Sequence, residues 1–195
     1  VKVGVDMDRG LIISYTPKSV EYLTNILQKA SVSDIASVSY AGEARRILIE
    51  NDFDVCIVNA PLPDETGIGL ARDIAAKNLS QVILIVKSDL FDEVSSKVDK
   101  YGVITITKPN SKIMLWNALK LASAANRWVK DLREENRKLV QRIEDMRVVD
   151  RAKCILISHL SMTEAEAHRY IEKQSMNRRL PKRKIAEEIL KIYEY

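Results

Sequence analysis

The sequence predicts two architectures in one chain: an α/β domain on a five-stranded parallel sheet, followed by an all-helical half. Three observations carry this. Short apolar runs alternate with amphipathic segments as far as Pro109. All six glycines and four of the five prolines occur by that residue, and between Pro109 and Pro181 there is neither, so the stretch lacks helix breakers. Charge divides at the same place. Residues 1–110 hold 12 Lys+Arg against 15 Asp+Glu, net −3, and residues 111–195 hold 19 against 12, net +7. The two halves are therefore expected to meet different partners.

In chain order, LIIS (11–14), IASVS (35–39), DVCIV (54–58), VILIV (82–86) and VITI (103–106) read as strands. Val20, Leu23, Ile26 and Leu27, then Ala44, Ile47 and Leu48, have helical spacing between them. Thr16 followed by Pro17 is a helix start, with a capping hydroxyl and a proline in the first turn. Strands alternating with helices make a parallel sheet covered on both faces, with its functional crevice at the carboxyl ends of the strands. Asn59 falls at such an end, where a reactive carboxylate is common.

A long helix is expected from about Ser111. From Ala122 it carries a heptad seam through Ala125, Val129, Leu132, Asn136, Leu139, Ile143 and Met146, ending at Asp150. That pattern reads as a dimeric coiled coil, with Asn136 setting register. Against it, Arg142 would face Arg147 of a parallel partner, and a helix packed on its own domain is the alternative. Beyond the seam, Ala152, Ile155, Leu156 and His159 continue the helix. Thr163 and Glu166 form a capping box for a second helix presenting Ala167, Tyr170, Ile171 and Gln174. A third helix starts near Pro181 and presents Ile185, Ala186, Ile189, Leu190 and Ile192. The expected divisions are 8–122, 123–149 and 150–195. Met7, just ahead of the first strand, is the expected natural start, with residues 1–6 an added remnant.

No apolar run approaches the roughly 18 residues that cross a bilayer, and the first twenty residues lack the charged start and apolar centre of a signal peptide, so a cytoplasmic protein is expected. Cys56 and Cys154 lie in apolar surroundings without a Cys-x-x-Cys pair and are expected to be buried, reduced thiols. No metal, no cofactor and no catalytic constellation is implied, so an enzyme is not expected. KQSMNRRLPKRK, residues 173–184, holds six basic residues and no acid, enough to neutralise several phosphates. Arg178, Arg179, Arg183 and Tyr170 suit stacking on the splayed bases of a nucleic acid, RNA loops above all, and Lys153, Lys182 and Lys184 suit its backbone; a solvated basic turn is the alternative.

Two resemblances sharpen these readings. Asn59 with Pro63 four residues on and Gly67 eight on, and the Lys108-Pro109 pair after the fifth strand, resemble a response-regulator receiver over about residues 10–122, a flavodoxin-like fold. The resemblance implies a phosphoacceptor pocket, and here it is degenerate. Asn59 stands for the acceptor aspartate, and Ser14 and Tyr15 for the acidic Mg²⁺-binding pair. Val86, or Lys87 one residue later, stands for the phosphate-sensing hydroxyl, and only Lys108 is kept. Lys108 then either hydrogen-bonds Asn59 or reaches solvent. An amide is a poor nucleophile, and Ser with Tyr brings no charge to displace water from Mg²⁺, so phosphorylation by the usual route is not expected.

Residues 151–190 resemble an ANTAR module, an RNA-binding output unit of transcription antiterminators. The resemblance rests on Ala152, Lys153, Ile155, Leu156, Glu166, Ala167, Ser175, Met176, Ile185 and Ala186, with Cys154 and Ser175 departing slightly from the usual small residues. It implies a homodimer binding paired stem-loops of leader RNA, with a regulatory protein or ligand as input at the receiver. A DNA-binding regulator and a coiled-coil adaptor without nucleic acid remain the competing readings.

Overall fold

A computed structural model describes residues 7–77, 80–109 and 111–193; residues 1–6, expected to be an added remnant, lie outside them. The chain divides into two compact units between Lys130 and Asp131. In the first, five parallel strands, β1 (Arg9–Ile13), β2 (Asp34–Val38), β3 (Val55–Asn59), β4 (Gln81–Lys87) and β5 (Ile104–Lys108), lie in the order β2-β1-β3-β4-β5. Helices α1 (Pro17–Lys29), α2 (Ala41–Glu50), α3 (Ile68–Ala76) and α4 (Phe91–Val98) connect them, and α5 (Lys112–Leu160) follows. α5 runs unbroken through all three expected divisions after residue 111.

Each strand's two-residue period serves two cores. Cys56, Val58, Leu84 and Val86 join one with Leu70, Ala71 and Val94. Val55, Ile57, Ile83, Ile85 and Ile106 join the other with Leu23, Leu27, Leu115 and Leu119. β3 is buried along its whole length, as a strand covered on both faces must be. Gly67 opens α3 at φ +80°, and a Cβ there would stand 3.1 Å from Val58 Cγ1, so the position requires glycine twice over. Thr16 does start α1, but its side chain makes no capping bond. Its carbonyl accepts from Ser19 and Val20 instead.

α2 takes its cap from far along the chain. Tyr40 at its N-cap offers no side-chain bond. Asp64, in the loop after β3, accepts from Ala41 N and Gly42 N, both at 3.0 Å, and these bonds hold its carboxyl below the usual range. At the opposite end of β3, Asp54 accepts from Asp8 N at 2.7 Å and Arg9 N at 3.1 Å. Its other oxygen takes Asn126 Nδ2 at 3.1 Å and Lys130 Nζ at 2.8 Å, tying the part of α5 within the first unit to the start of β3.

The second unit comprises the rest of α5 with α6 (Glu164–Arg178) and α7 (Lys182–Tyr193) around Ala152, Leu156, Ala167, Ile171, Ile185, Ala186, Ile189 and Leu190. The Thr163–Glu166 capping box forms as expected. α6 ends in a Schellman turn, with Leu180 N on Ser175 O at 3.1 Å and Arg179 N on Met176 O at 3.3 Å. Arg179 holds the left-handed position, φ 52°, that glycine usually fills. Ile192 is exposed in the last turn of α7, where Tyr193 meets His159 at 5.3 Å between ring centroids.

Only one of the two expected buried thiols is buried. Cys154 sits two residues from both Ala152 and Leu156, about 200° around the helix from each, and is exposed. Burial pushes the Cys56 thiol up to about 12. Native protein treated with iodoacetamide at neutral pH should therefore take one adduct, on Cys154, by mass spectrometry; Cys56 should label only after unfolding.

Candidate nucleic-acid interface and sheet crevice

The order β2-β1-β3 places a topological switch between β1 and β3, where parallel sheets open a crevice at their carboxyl ends. Ser14, just beyond β1, and Asn59, ending β3, meet there. Asn59 Nδ2 donates to Ser14 Oγ at 2.9 Å, and both side chains are buried. The bond is neutral, between an amide and a hydroxyl. Tyr15 does not join it, being 61% exposed.

Lys108 takes neither of the two courses expected of it. Its Nζ donates to the carbonyl of Ala60 at 2.6 Å, behind Asn59. The peptide bonds on to Pro61 and Pro109 are both cis. Burial, and then the like charge of Lys87, hold the Lys108 ammonium below the ordinary lysine pKa. Val86 is excluded from the crevice. It is 3% exposed in the core that contains Leu84 and Cys56, and β4 pairs Asn59 with Ile85 and Lys108 with Lys87. A one-residue step in a strand reverses the face, so the site residues of β4 are Ile85 and Lys87. A cavity of about 100 Å³ there is lined by Ser19, Tyr22, Leu23, Asn59, Ile85 and Lys108. The α1 contributors were missed because amphipathic spacing identifies a helix's buried face but not which end borders a crevice. A larger cavity, about 540 Å³, lies between α2 and α3 over Leu48, Leu70 and Ile74, and shares no residue with this one.

In the second unit, most of the basic residues expected to meet RNA are held by carboxylates. Lys153 bonds Asp150 at 2.8 Å and Glu164 at 3.1 Å. Arg178 makes a two-pronged pair with Glu188, and Lys182 meets Glu172 at 2.7 Å. Arg183 bridges Asp145 at 2.6 Å and Glu187 at 2.8 Å, and Lys184 also reaches Glu187 at 3.0 Å. These acids all lie outside residues 173–184, on α5, α6 and α7. Arg179 forms no ion pair among the described residues, nor do Arg169 and Lys173, which the basic-run reading passed over or left unassigned. Arg169, Lys173 and Asn177 recur every four residues on α6, all exposed, with Tyr170 alongside at 39% exposure. This is a face with cations, an aromatic ring and an amide, the groups that grip phosphates and splayed bases.

The coiled-coil positions divide between the two units. Val129 is half-buried in the first. In the second, Leu132, Asn136, Leu139, Ile143 and Met146 are exposed, Leu132 at 66% and Met146 at 58%. No helix among the described residues is long and apolar enough to cross a membrane.

Two family models match the chain. A response regulator receiver domain matches residues 11–120, and an ANTAR domain matches residues 137–190. Transcriptional regulatory protein PdtaR of Mycobacterium tuberculosis is 27% identical over 168 residues, covering 86% of this chain and 82% of that protein. The aliphatic amidase regulator of Pseudomonas aeruginosa is 26% identical over 140 residues, covering 72% of this chain and 64% of its own. Among solved structures, the signal receiver domain of a signal transduction histidine kinase from Syntrophus aciditrophicus superposes with TM-score 0.52 at 27% identity, covering 60% of this chain and 90% of that one. The signal receiver domain of an HD domain-containing protein from Pseudomonas fluorescens gives 0.57 at 20% identity over 67% of this chain and 97% of its own, a likeness of fold. With the switch-point crevice in place, the receiver model spanning more than half the chain and the ANTAR model behind it, the chain belongs to the response regulator receiver family and carries an ANTAR domain.

Proposed function

We propose that the chain is a dimeric RNA-binding regulator of transcription antitermination, with a receiver that is not phosphorylated in the usual way. The observation that carries this is the α6 face of Arg169, Tyr170, Lys173 and Asn177, beside Arg179, on an ANTAR domain. Its cations, none of them in an ion pair among the described residues, meet phosphate first. Arg178, Lys182, Arg183 and Lys184 then exchange exposed carboxylate partners for RNA phosphates, an exchange that costs little because surface pairs are weak. The two named relatives are regulators, and the RNA reading comes to this chain from its ANTAR domain. Regulation by binding, not catalysis, is the activity.

The exposed seam of Leu132, Leu139, Ile143 and Met146, with Asn136 within it, is the surface through which a second copy pairs in the coiled-coil segment 123–149. A dimer carries two output modules, on 150–195. It holds two linked stem-loops at high effective concentration, so that binding one loop favours the other. The input domain is 8–122, where a regulatory protein or ligand would act.

A gel shift with tandem-hairpin RNA, the same RNA with scrambled loops, a single hairpin and duplex DNA tests the reading. The tandem hairpins should bind at least tenfold more tightly than any other probe; equal retention of duplex DNA would sink the proposal. Arg179→Gly sharpens the test, because it relieves a left-handed backbone position and deletes a side chain that forms no ion pair among the described residues. Thermal melting should rise by a few degrees while RNA affinity falls severalfold. A variant that loses both would show Arg179 to be structural.

The receiver reading has its own measurement. Incubation with acetyl phosphate and Mg²⁺ should leave the intact mass unchanged, because Asn59 offers an amide already bonded to Ser14. A stoichiometric phosphoryl adduct would overturn it.

A further inference from the structure

We infer that the cavity between α2 and α3 binds a free apolar amino acid as its zwitterion, with the ammonium on Asp52, the carboxylate on Lys77 and the side chain over Leu48, Leu70 and Ile74. The site lies at the amino ends of β3 and β4, away from the crevice, because Asn51 and Asp52 come just before β3 and Lys77 and Ser80 just before β4. Its volume of about 540 Å³ is within the roughly 300–1,000 Å³ of small-molecule pockets. Its floor is apolar. Leu70 and Ile74 belong to the buried core, Leu48 packs against that core, and Ile49 also lines the cavity although it is 77% exposed.

Charge decides the class of ligand. Among the described residues, the charged side chains that line the cavity are Arg45, Asp52, Asp73 and Lys77. Arg45 is already matched, by two bonds to Glu65 at 2.9 and 3.2 Å and by Asp73 at 3.6 Å, and Asp73 also meets Arg72 at 3.2 Å. That leaves one carboxylate and one ammonium. Asp52 and Lys77 form no ion pair among the described residues, with each other or with a third group, and the bond that Asp52 accepts from Arg9 is on its backbone carbonyl. A simple acid would satisfy Lys77 but meet Asp52 and Asp73 as like charges, and a simple amine would leave Lys77 unmatched. A zwitterion answers both. A large apolar side chain, of the leucine or phenylalanine kind, then covers the apolar floor, and removing that surface from water favours association. The inference concerns the first unit alone and holds or fails separately from RNA binding.

Titrating the ¹⁵N-labelled full chain, free of RNA, with L-phenylalanine tests it by amide NMR, with phenylacetate, phenethylamine and glycine as comparison compounds. Saturable shifts should appear at Leu48, Asn51, Ile74, Lys77 and Ser80 with phenylalanine, at a Kd of about 1 mM or tighter. Each comparison compound lacks one of the three contacts and should bind about fivefold more weakly or worse. Asp52→Asn and Lys77→Gln, at exposed positions whose side chains form no ion pair among the described residues, should keep the parent spectrum and each weaken binding about fivefold or more. Lys173→Gln in the second unit should leave binding unchanged. Four outcomes would overturn the site: no saturable binding, shifts confined to the crevice or to α6 and α7, a comparison compound that binds as tightly as phenylalanine, or an Asp52→Asn or Lys77→Gln protein that binds as before.

Discussion

Leu156→Ala is expected to unfold the second unit's core and abolish hairpin RNA binding while leaving the first unit's melting transition in place. Leu156 is 1% exposed within a cluster of eight buried residues, three of them alanine. Large-to-small changes at such sites cost about 2–5 kcal/mol, and a core this small has few neighbours able to close the cavity. Circular dichroism during heating should separate the loss of α6 and α7 from the melting of the sheet. A variant that melts like the parent but fails to bind RNA would instead place Leu156 at the RNA surface. One that keeps both would mean the cluster is not the unit's main source of stability.

Asp54→Ala should destabilise the first unit by about 2–3 kcal/mol, since it strands two backbone N–H groups, the Asn126 amide and the Lys130 ammonium together. The effect should depend on pH with a definite sign. Burial alone would raise the carboxyl's pKa, but the Lys130 bond, the Arg9 and Asp8 backbone bonds and the Asn126 bond together lower it from the ordinary 3.8. A depressed carboxylate stabilises the fold fully above its unfolded value. The contribution disappears as pH falls through the folded value, where the native group also becomes protonated. Urea denaturation should thus show a constant gap between parent and variant from pH 7 to about 5, narrowing below about 4. A gap that widens in acid would refute the assignment.

Much of this was legible because local signals repeat. Five apolar runs, a Thr-x-x-Glu box and a glycine-free stretch each name an element without reference to distant residues, and the structure forms all of them. What stayed hidden depends on contacts across the chain. Asp54 looked like the first residue of a strand, and its partners lie 45 to 76 positions away on the N-terminal segment and α5. The basic run looked uncompensated because its acids, Asp145, Glu172, Glu187 and Glu188, fall outside the window but within reach across helices. Val86 and Lys87 differ by one position, and only pairing with β5 decides which faces the crevice. Cys154 was misplaced because an apolar neighbourhood in sequence says nothing of helical angle.

The long-range cap on α2 has a practical side. Asp64 stands five residues beyond Asn59 in the loop that rims the crevice, and it grips Ala41 N and Gly42 N. An occupant that shifts this loop tugs on those two amides, so the first turn of α2 serves as an indicator needle for the crevice. A small fluorophore on exposed Glu43, in that same first turn, gives an optical readout of occupancy without touching the site itself.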